Sequence, residues 1–344
     1  MKPPRSAADK SKEQKEKLIM AEKIVLDEIR NQIDSGVIQG AVVRTNLSEE
    51  TIAMGIQAGN IPMSADSRFD IASTGKVFTA ACVALLALEG KIDLDAPFTE
   101  YLPEHISGKN CEITIRDLAA HASGFDNSKP YVADTPEENF QRICQWLPVN
   151  PRRTSFCYSC GNYLLLGKVA ERVSGMDLDT LSRKLLWEPL KMEKTTWNAP
   201  GPGPFEVQHH FPTRVPGVHN DDTCYRVNVP LGNGSVFSTA GDMFLFVNDI
   251  IKRKMFPEAY YDLICKVEFF QEGKPCRSFG WDMRDEHLPA GLSPRTIHHT
   301  GFTGQSIFAD PETGICGVVL TSRTGDWNIA KAGRSRIMEL IIKS

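Results

Sequence analysis

No stretch of this 344-residue chain comes near the roughly 20 consecutive apolar residues that span a bilayer. The opening, Met1 to Lys17, is charged and lacks the apolar centre of a secretory signal. These absences favour a cytoplasmic protein over a membrane-embedded or exported one, and residues 1–20 read as a charged N-terminal extension. Surplus positive charge is lacking as well. Lys and Arg total 39 against 43 Asp and Glu, and the basic residues are scattered rather than gathered in a stripe, which argues against nucleic acid as a partner. Cysteine is present nine times, an odd number, and only Cys157 and Cys160 stand at Cys-x-x-Cys spacing. With no second pair to complete four zinc ligands, buried reduced thiols are expected rather than a disulfide framework or a metal site. His209-His210 and His298-His299 are adjacent pairs whose side chains point apart in an extended chain, so no shared metal is expected, and nothing calls for a cofactor.

What is present is a nucleophile and a base one helical turn apart. Ser73-Thr74-Gly75-Lys76 places a hydroxyl and an ammonium at i and i+3, on one face of a helix. A serine hydroxyl attacks a carbonyl only when a neighbour takes its proton, and a desolvated lysine suits that task because burial disfavours its charged form. The context supports the pair. Phe69-Asp70-Ile71-Ala72 is a short extended run leading into it. Val77, Ala80, Ala81, Ala84, Leu85 and Leu88 then form an apolar stripe that ends at Gly90. Ser73 is thereby expected at a helix N-terminus, where free amides and the dipole favour developing negative charge.

The remaining pattern predicts an α+β protein. A helix over Ser11 to Asn31 precedes two strands, Ile38 to Thr45 and Thr51 to Gln57. A loop-rich and helical stretch follows, with segments Gly90 to Pro103, Ile115 to His121, Pro136 to Trp146, Tyr163 to Val173 and Leu178 to Leu186. Strands resume at Thr223 to Val229, Ser278 to Met283, Thr296 to His299, Gln305 to Ala309 and Ile315 to Thr321, and Asn328 to Ile342 closes the chain as a helix. The expected architecture is an antiparallel sheet flanked by the terminal helices, with an all-α lobe beside it. Residues 21–344 would form one catalytic domain, with an α/β lobe at about 21–72 and 223–344 and a helical lobe at about 73–222. The site is expected between lobes, bordered by the Pro- and Gly-bearing loop Ala199 to Pro216.

Four further stretches, together with Ser73 to Lys76, resemble the serine β-lactamase and penicillin-binding protein superfamily, especially its class C β-lactamase-like and esterase branch. Leu88 to Pro97 is similar to the family segment after the nucleophile helix. His121-Ala122-Ser123-Gly124 looks like its His-x-Ser-Gly stretch, taken as architectural. Tyr158-Ser159-Cys160 stands for the family's Tyr-x-Asn, and His299-Thr300-Gly301 for its Lys-Thr-Gly. The resemblance implies a β-lactamase/transpeptidase-like fold with Ser73, Lys76 and Tyr158 as catalytic residues. Tyr158 would be a phenol beside the Lys76 ammonium, and the sequence leaves open whether Lys76 or Tyr158 takes the serine proton. The backbone amides of Ser73 and Phe302 would form the oxyanion hole, and Gly301 would let substrate lie close to the strand. Gly232 to Met243 adds a turn into a helix N-cap, read as structural.

The departures from the family pattern matter. Cys160 replaces an amide with a thiol, a weak donor and acceptor, and His299 replaces a lysine with an imidazole that is largely neutral at pH 7. Arg323, after the last strand, is a candidate for a compensating charge. With Cys160, His299, Thr300, Gly301 and Arg323 as substrate-binding residues, the expectation is a serine hydrolase acting on a small ester, amide or peptide, of the esterase or transacylase type. A β-lactamase or D-amino-acid peptidase (DD-carboxypeptidase) is the alternative within enzymes. A non-catalytic ligand-binding homologue is the alternative outside them.

Overall fold

The computed structural model describes residues 22–128, 131–207, 214–284 and 288–343. Residues 22–34 form helix α1. The predicted extension, the start of the predicted first helix, and His209-His210 lie outside the described residues.

A five-stranded antiparallel sheet has the order β2-β1-β9-β8-β7, with β1 at Ile38–Thr45, β2 at Ile52–Gly55, β7 at Ile297–Gly301, β8 at Gln305–Asp310 and β9 at Ile315–Arg323. Strand β1 pairs with β9, with Val42 opposite Leu320, so the two ends of the chain share one sheet as expected. Alternation sorts the side chains. Ala41, Val43 and Val319 pack with Val25 and Ile29 of α1 and with Ile337 and Met338 of the closing helix, while Val42, Val318 and Leu320 face the main core. Two short ladders complete the strands: β3 (Phe69–Asp70) with β4 (Phe237–Ser238), and β5 (Val267–Gln271) with β6 (Lys274–Ser278).

The helices between β3 and β7 are α2 (Lys76–Leu88), α3 (Ile115–Ala119), α4 (Pro136–Cys144), α5 (Cys160–Ser174), α6 (Leu178–Ser182), α7 (Glu188–Leu190), α8 (Asp222–Val227), α9 (Ala240–Lys252) and α10 (Glu258–Cys265), and α11 (Trp327–Lys343) closes the chain. Local chemistry sets their ends. Thr114 and Asp117 form a reciprocal capping box on α3, Thr135 caps α4 ahead of Pro136, and Gly175 ends α5 in the left-handed region.

Helix α2 departs from the stripe its sequence suggested. Every residue from Lys76 to Leu86 is buried, whereas Leu88, counted in the stripe, is exposed. It is a central helix enclosed by α5, α6 and α10, and its Ala-rich composition allows that close approach. The predicted strand Thr223 to Val229 is instead α8. The Asp221 carboxylate accepts from the amides of Thr223 and Cys224, and this cap decides the conformation over β-branched propensity. Ser278 to Met283 is not a continuous strand either. Gly280 at φ +92° breaks it, and only the bridge from Asp282 to His298 continues toward the sheet. Gly90 to Pro103 is mostly turns around one 3-10 segment, Phe98–Glu100.

Candidate active site

Strand β3 delivers the chain to Ser73, and the turn that follows is sharp. The Ile71 amide donates to Val236 O at 2.8 Å, and Ala72 then adopts φ +45°, a left-handed conformation costly for a residue with a Cβ. Two hydrogen bonds hold it: the Ala72 amide donates to Asp70 Oδ1 at 2.8 Å, and the Ser235 amide donates to Ala72 O at 3.1 Å. Ser73 lies in the single 3-10 turn Ala72–Gly75 that runs into α2, so its amide is among the free donors of a helix start. Gly234, at φ +133°, passes so close that a Cβ there would lie 2.5 Å from Ala72 O and 3.1 Å from Ser73 Cα.

Lys76 is fully buried. Its Nζ donates to Ser73 Oγ at 3.1 Å, to Asn233 O, and to Cys160 Sγ at 3.7 Å, and it lies 5.1 Å from the centroid of the Tyr158 ring. Burial works against the ammonium, but the Cys160 and Tyr158 side chains outweigh it, and the net direction is above the ordinary lysine value. That direction runs against the desolvated amine expected of Lys76 and favours its ammonium form.

Tyr158 sits just ahead of α5, its ring 4.5 Å from that of buried His121. His121 Nδ1 accepts from the Ser159 amide at 3.2 Å and lies 3.0 Å from Asn162 Nδ2. Burial above all, then the charges of Arg277 and Lys76, pushes the His121 imidazole well below its usual pKa, so it is a neutral prop behind the tyrosine. Cys160 opens α5, and its amide donates to Asn127 Oδ1 at 2.8 Å.

Edge strand β7 forms the facing wall. His299 is buried, with Nδ1 3.0 Å from Thr300 O, and burial followed by the charges of Arg277 and Lys76 holds it neutral. Phe302 lies in the turn to β8, closed by the Gly304 amide donating to Gly301 O at 3.1 Å, and Thr303 Oγ1 donates to Asp70 O at 2.8 Å. The turn that carries Phe302 is thus tied to the segment that carries Ser73. Together Ser73, Tyr158, Cys160, His299, Thr300 and Phe302 border one cavity of about 880 Å³.

Three expectations need correction. Arg323 does not face the cavity: it is buried, its Nε donates to Phe302 O at 2.7 Å and its Nη1 to Gly325 O at 2.8 Å, and its guanidinium lies 4.3 Å from the Phe302 ring centroid. It clamps the turn because the carbonyls of 302 and 325 converge on it. Gly301 does not border the cavity either; a Cβ there would come within 2.5 Å of Ile71 O, so the close approach it serves is that of β7 to the turn ahead of Ser73. The described parts of the Ala199 to Pro216 loop lie away from the cavity, since Arg68 pairs with Glu206 and its amide donates to Phe205 O. Asn127, Tyr131 and Asp221 take that place, with Tyr131 OH donating to Asp221 Oδ2 at 3.1 Å.

Sequence reading passed over Asp70, Asn233 and Arg277. Asn233 acts through its carbonyl, which any residue carries, and Gly232 to Met243 is therefore more than scaffolding. Asp70 stood in view, three residues before Ser73, as part of an extended run. Among the described residues no group of three or more His, Cys, Asp or Glu could hold a metal, and no helix is long and apolar enough to cross a membrane.

The β-lactamase family model matches residues 26–339. The chain belongs to this family. Its fold is that of β-lactamases and transpeptidases, and it is a β-lactamase-related serine hydrolase. Among curated proteins it is 24% identical to an N-acetylmuramyl-L-alanine amidase of Bacillus subtilis over 311 residues, 76% of this chain and 69% of that one. Among solved structures it superposes on EstCE1, a hydrolase with promiscuous acyltransferase activity, with TM-score 0.78 and 20% identity over 94% of this chain and 98% of that one. A class C β-lactamase from Rhodobacter sphaeroides superposes with TM-score 0.76 and 20% identity over 93% and 98%. At these identities the structural likenesses establish the fold alone.

Proposed function

We propose that this family member is an esterase or amidase that acylates Ser73 and passes the acyl group to water or another small acceptor. The observation that carries the reading is the contact of the buried Lys76 ammonium with Ser73 Oγ at 3.1 Å, inside a cavity that Tyr158 also borders. An ammonium has no lone pair, so the Ser73 proton passes to the Tyr158 oxygen, with the Lys76 charge stabilising the phenolate beside it. Ser73 Oγ attacks the carbonyl carbon. The oxygen of the tetrahedral intermediate is received by the amides of Ser73 and Phe302, and Tyr158 returns the proton to the leaving group. Water or an acceptor alcohol repeats the sequence in reverse.

Cys160 supports esters and simple amides over β-lactams, because its thiol supplies no amide donor or acceptor to an acyl-amide side chain. Thr300 on the edge of β7 and the Cys160 end of α5 would flank the substrate, with His299 as a neutral wall. The test is intact-protein mass spectrometry after treatment with a fluorophosphonate, beside turnover of a short-chain nitrophenyl ester and a chromogenic cephalosporin. One adduct, absent in Ser73→Ala, with turnover of the ester ahead of the cephalosporin, is the expected result. An adduct that survives in Ser73→Ala would remove Ser73 from the mechanism, and faster cephalosporin turnover would move the assignment to a β-lactamase.

A further inference from the structure

Arg277 is the one guanidinium of strand β6, and it borders the substrate cavity while only 1% exposed. Its Nε and Nη2 make no hydrogen bond of good geometry, the Tyr163 hydroxyl being the neutral acceptor nearby, and its single carboxylate contact, from Nη1 to Asp282 Oδ2, is long at 3.4 Å. Asp282 is committed elsewhere: Arg284 donates to it from Nη2 at 2.6 Å and from Nε and its backbone amide at 3.0 Å. Two guanidinium groups therefore share one carboxylate. His299, whose Nε2 is also buried and without a hydrogen-bond partner, borders the same cavity. A buried cation used only for structure is expected to have its donors filled, because burying an unsatisfied charge costs free energy.

The opposite wall has the other sign, and its carboxylates are occupied. Asp221 accepts from Tyr131 OH and from the α8 amides, and Asp222 is paired with Arg214. An anionic substrate is thus attracted to one side of the cavity and repelled from the other.

We propose that Arg277 is the anion-binding residue of the cavity, so that this enzyme acts on esters or amides carrying a free carboxylate, which docks between Arg277 and His299. The planar fork of arginine matches a carboxylate better than a lysine ammonium does, and Phe156, 5.6 Å from the Arg277 guanidinium, supports it from one face. This rests on the reading of Ser73 as the acylated residue.

The test compares kcat/KM for mono-4-nitrophenyl glutarate, with the carboxylate on the acyl part, against 4-nitrophenyl butyrate. In parallel it compares 3-acetoxybenzoate, with the carboxylate on the leaving group, against phenyl acetate. Each pair is run on the wild type, Arg277→Gln and Arg277→Lys. A preference for one acidic ester that falls about 10- to 100-fold in Arg277→Gln and is partly kept in Arg277→Lys is expected, and the pair that shows it says which part of the substrate carries the charge. Equal rates for acidic and neutral esters in the wild type, or a preference undiminished in Arg277→Gln, would overturn the proposal. Thermal melts check that both variants fold, and the lysine variant gives the answer if the glutamine variant does not. Calorimetric titration with glutarate separates the two readings. Glutarate binding lost in Arg277→Gln together with absent turnover would sustain the anion site while refuting the acyl-enzyme, whereas turnover of neutral esters without glutarate binding or an acidic preference would do the reverse.

Discussion

Replacing Gly301 by alanine tests how the two halves of the proposed oxyanion hole, the Ser73 and Phe302 amides, are held together. A Cβ at this position would stand 2.5 Å from Ile71 O and 2.5 Å from Gln305 Oε1, where ordinary contact begins at 3.4 Å. The Gln305 side chain has little freedom to yield, since it is fully buried with its Oε1 2.6 Å from Thr303 Oγ1. Ile71 O belongs to the segment two residues before Ser73 and accepts from the Thr74 amide at 3.1 Å. Relieving the clash therefore moves the nucleophile and the Phe302 turn apart by roughly 1 Å, a misplacement that costs on the order of 100-fold in rate, or about 2.7 kcal/mol of barrier. Overpacking of this kind also costs about 1–3 kcal/mol of stability. The assay is kcat and KM on 4-nitrophenyl acetate and on a bulky acyl ester, with a thermal melt on the same protein. We expect kcat to fall about 100-fold for both esters while KM changes little. A variant with wild-type kcat on acetate but raised KM for the bulky ester would refute the argument and restore Gly301 to the substrate-facing role that the resemblance implied.

Asp70 makes a pH-dependent prediction. Burial pushes its carboxyl from 3.8 up to about 6 against the lowering effect of the Asn220 and Ala72 hydrogen bonds. A raised folded pKa means that this group favours folding most below the unfolded value, with the benefit lost as pH rises from about 4 to about 6, in all about 3 kcal/mol. Urea unfolding across that window should show the wild type losing stability relative to Asp70→Asn by about this amount, and parallel curves for the two proteins would show that Asp70 does not titrate there. Arg323→Met removes both carbonyl bonds of the clamp and should cost about 2–4 kcal/mol, a fall of roughly 3–6 °C in Tm for a chain of this length. An unchanged Tm with weakened binding of acidic substrates would return Arg323 to the substrate.

Much of the site was legible because its chemistry is local. Serine and lysine at i and i+3 meet wherever the segment is helical, and the Ser159 cap fixes where α5 starts and with it where Tyr158 and Cys160 stand. The antiparallel sheet flanked by the terminal helices was likewise readable from strand alternation and helical periodicity, whereas their place on one face of it came from the structure. Failures came where a side chain outside the window decides conformation or direction. Thr223 to Val229 carries strand-like residues, yet one aspartate ahead of them caps a helix. The apolar stripe of α2 was drawn too narrow because neighbours from α5, α6 and α10 bury the rest of it.

Sequence alone determined which groups this protein brings to its candidate site and the family pattern they make, since covalent spacing along a helix or strand carries that information. Only tertiary structure decided their states and directions. Lys76 is tilted toward its charged form because Cys160, 84 residues on in the chain, and Tyr158 are brought beside it, Arg323 is a clamp because two carbonyls converge on it, and Arg277 borders the cavity because strand β6 is laid beside β7 through Asp282. Charge state and orientation depend on burial and on partners far away in the chain, and the fold supplies both.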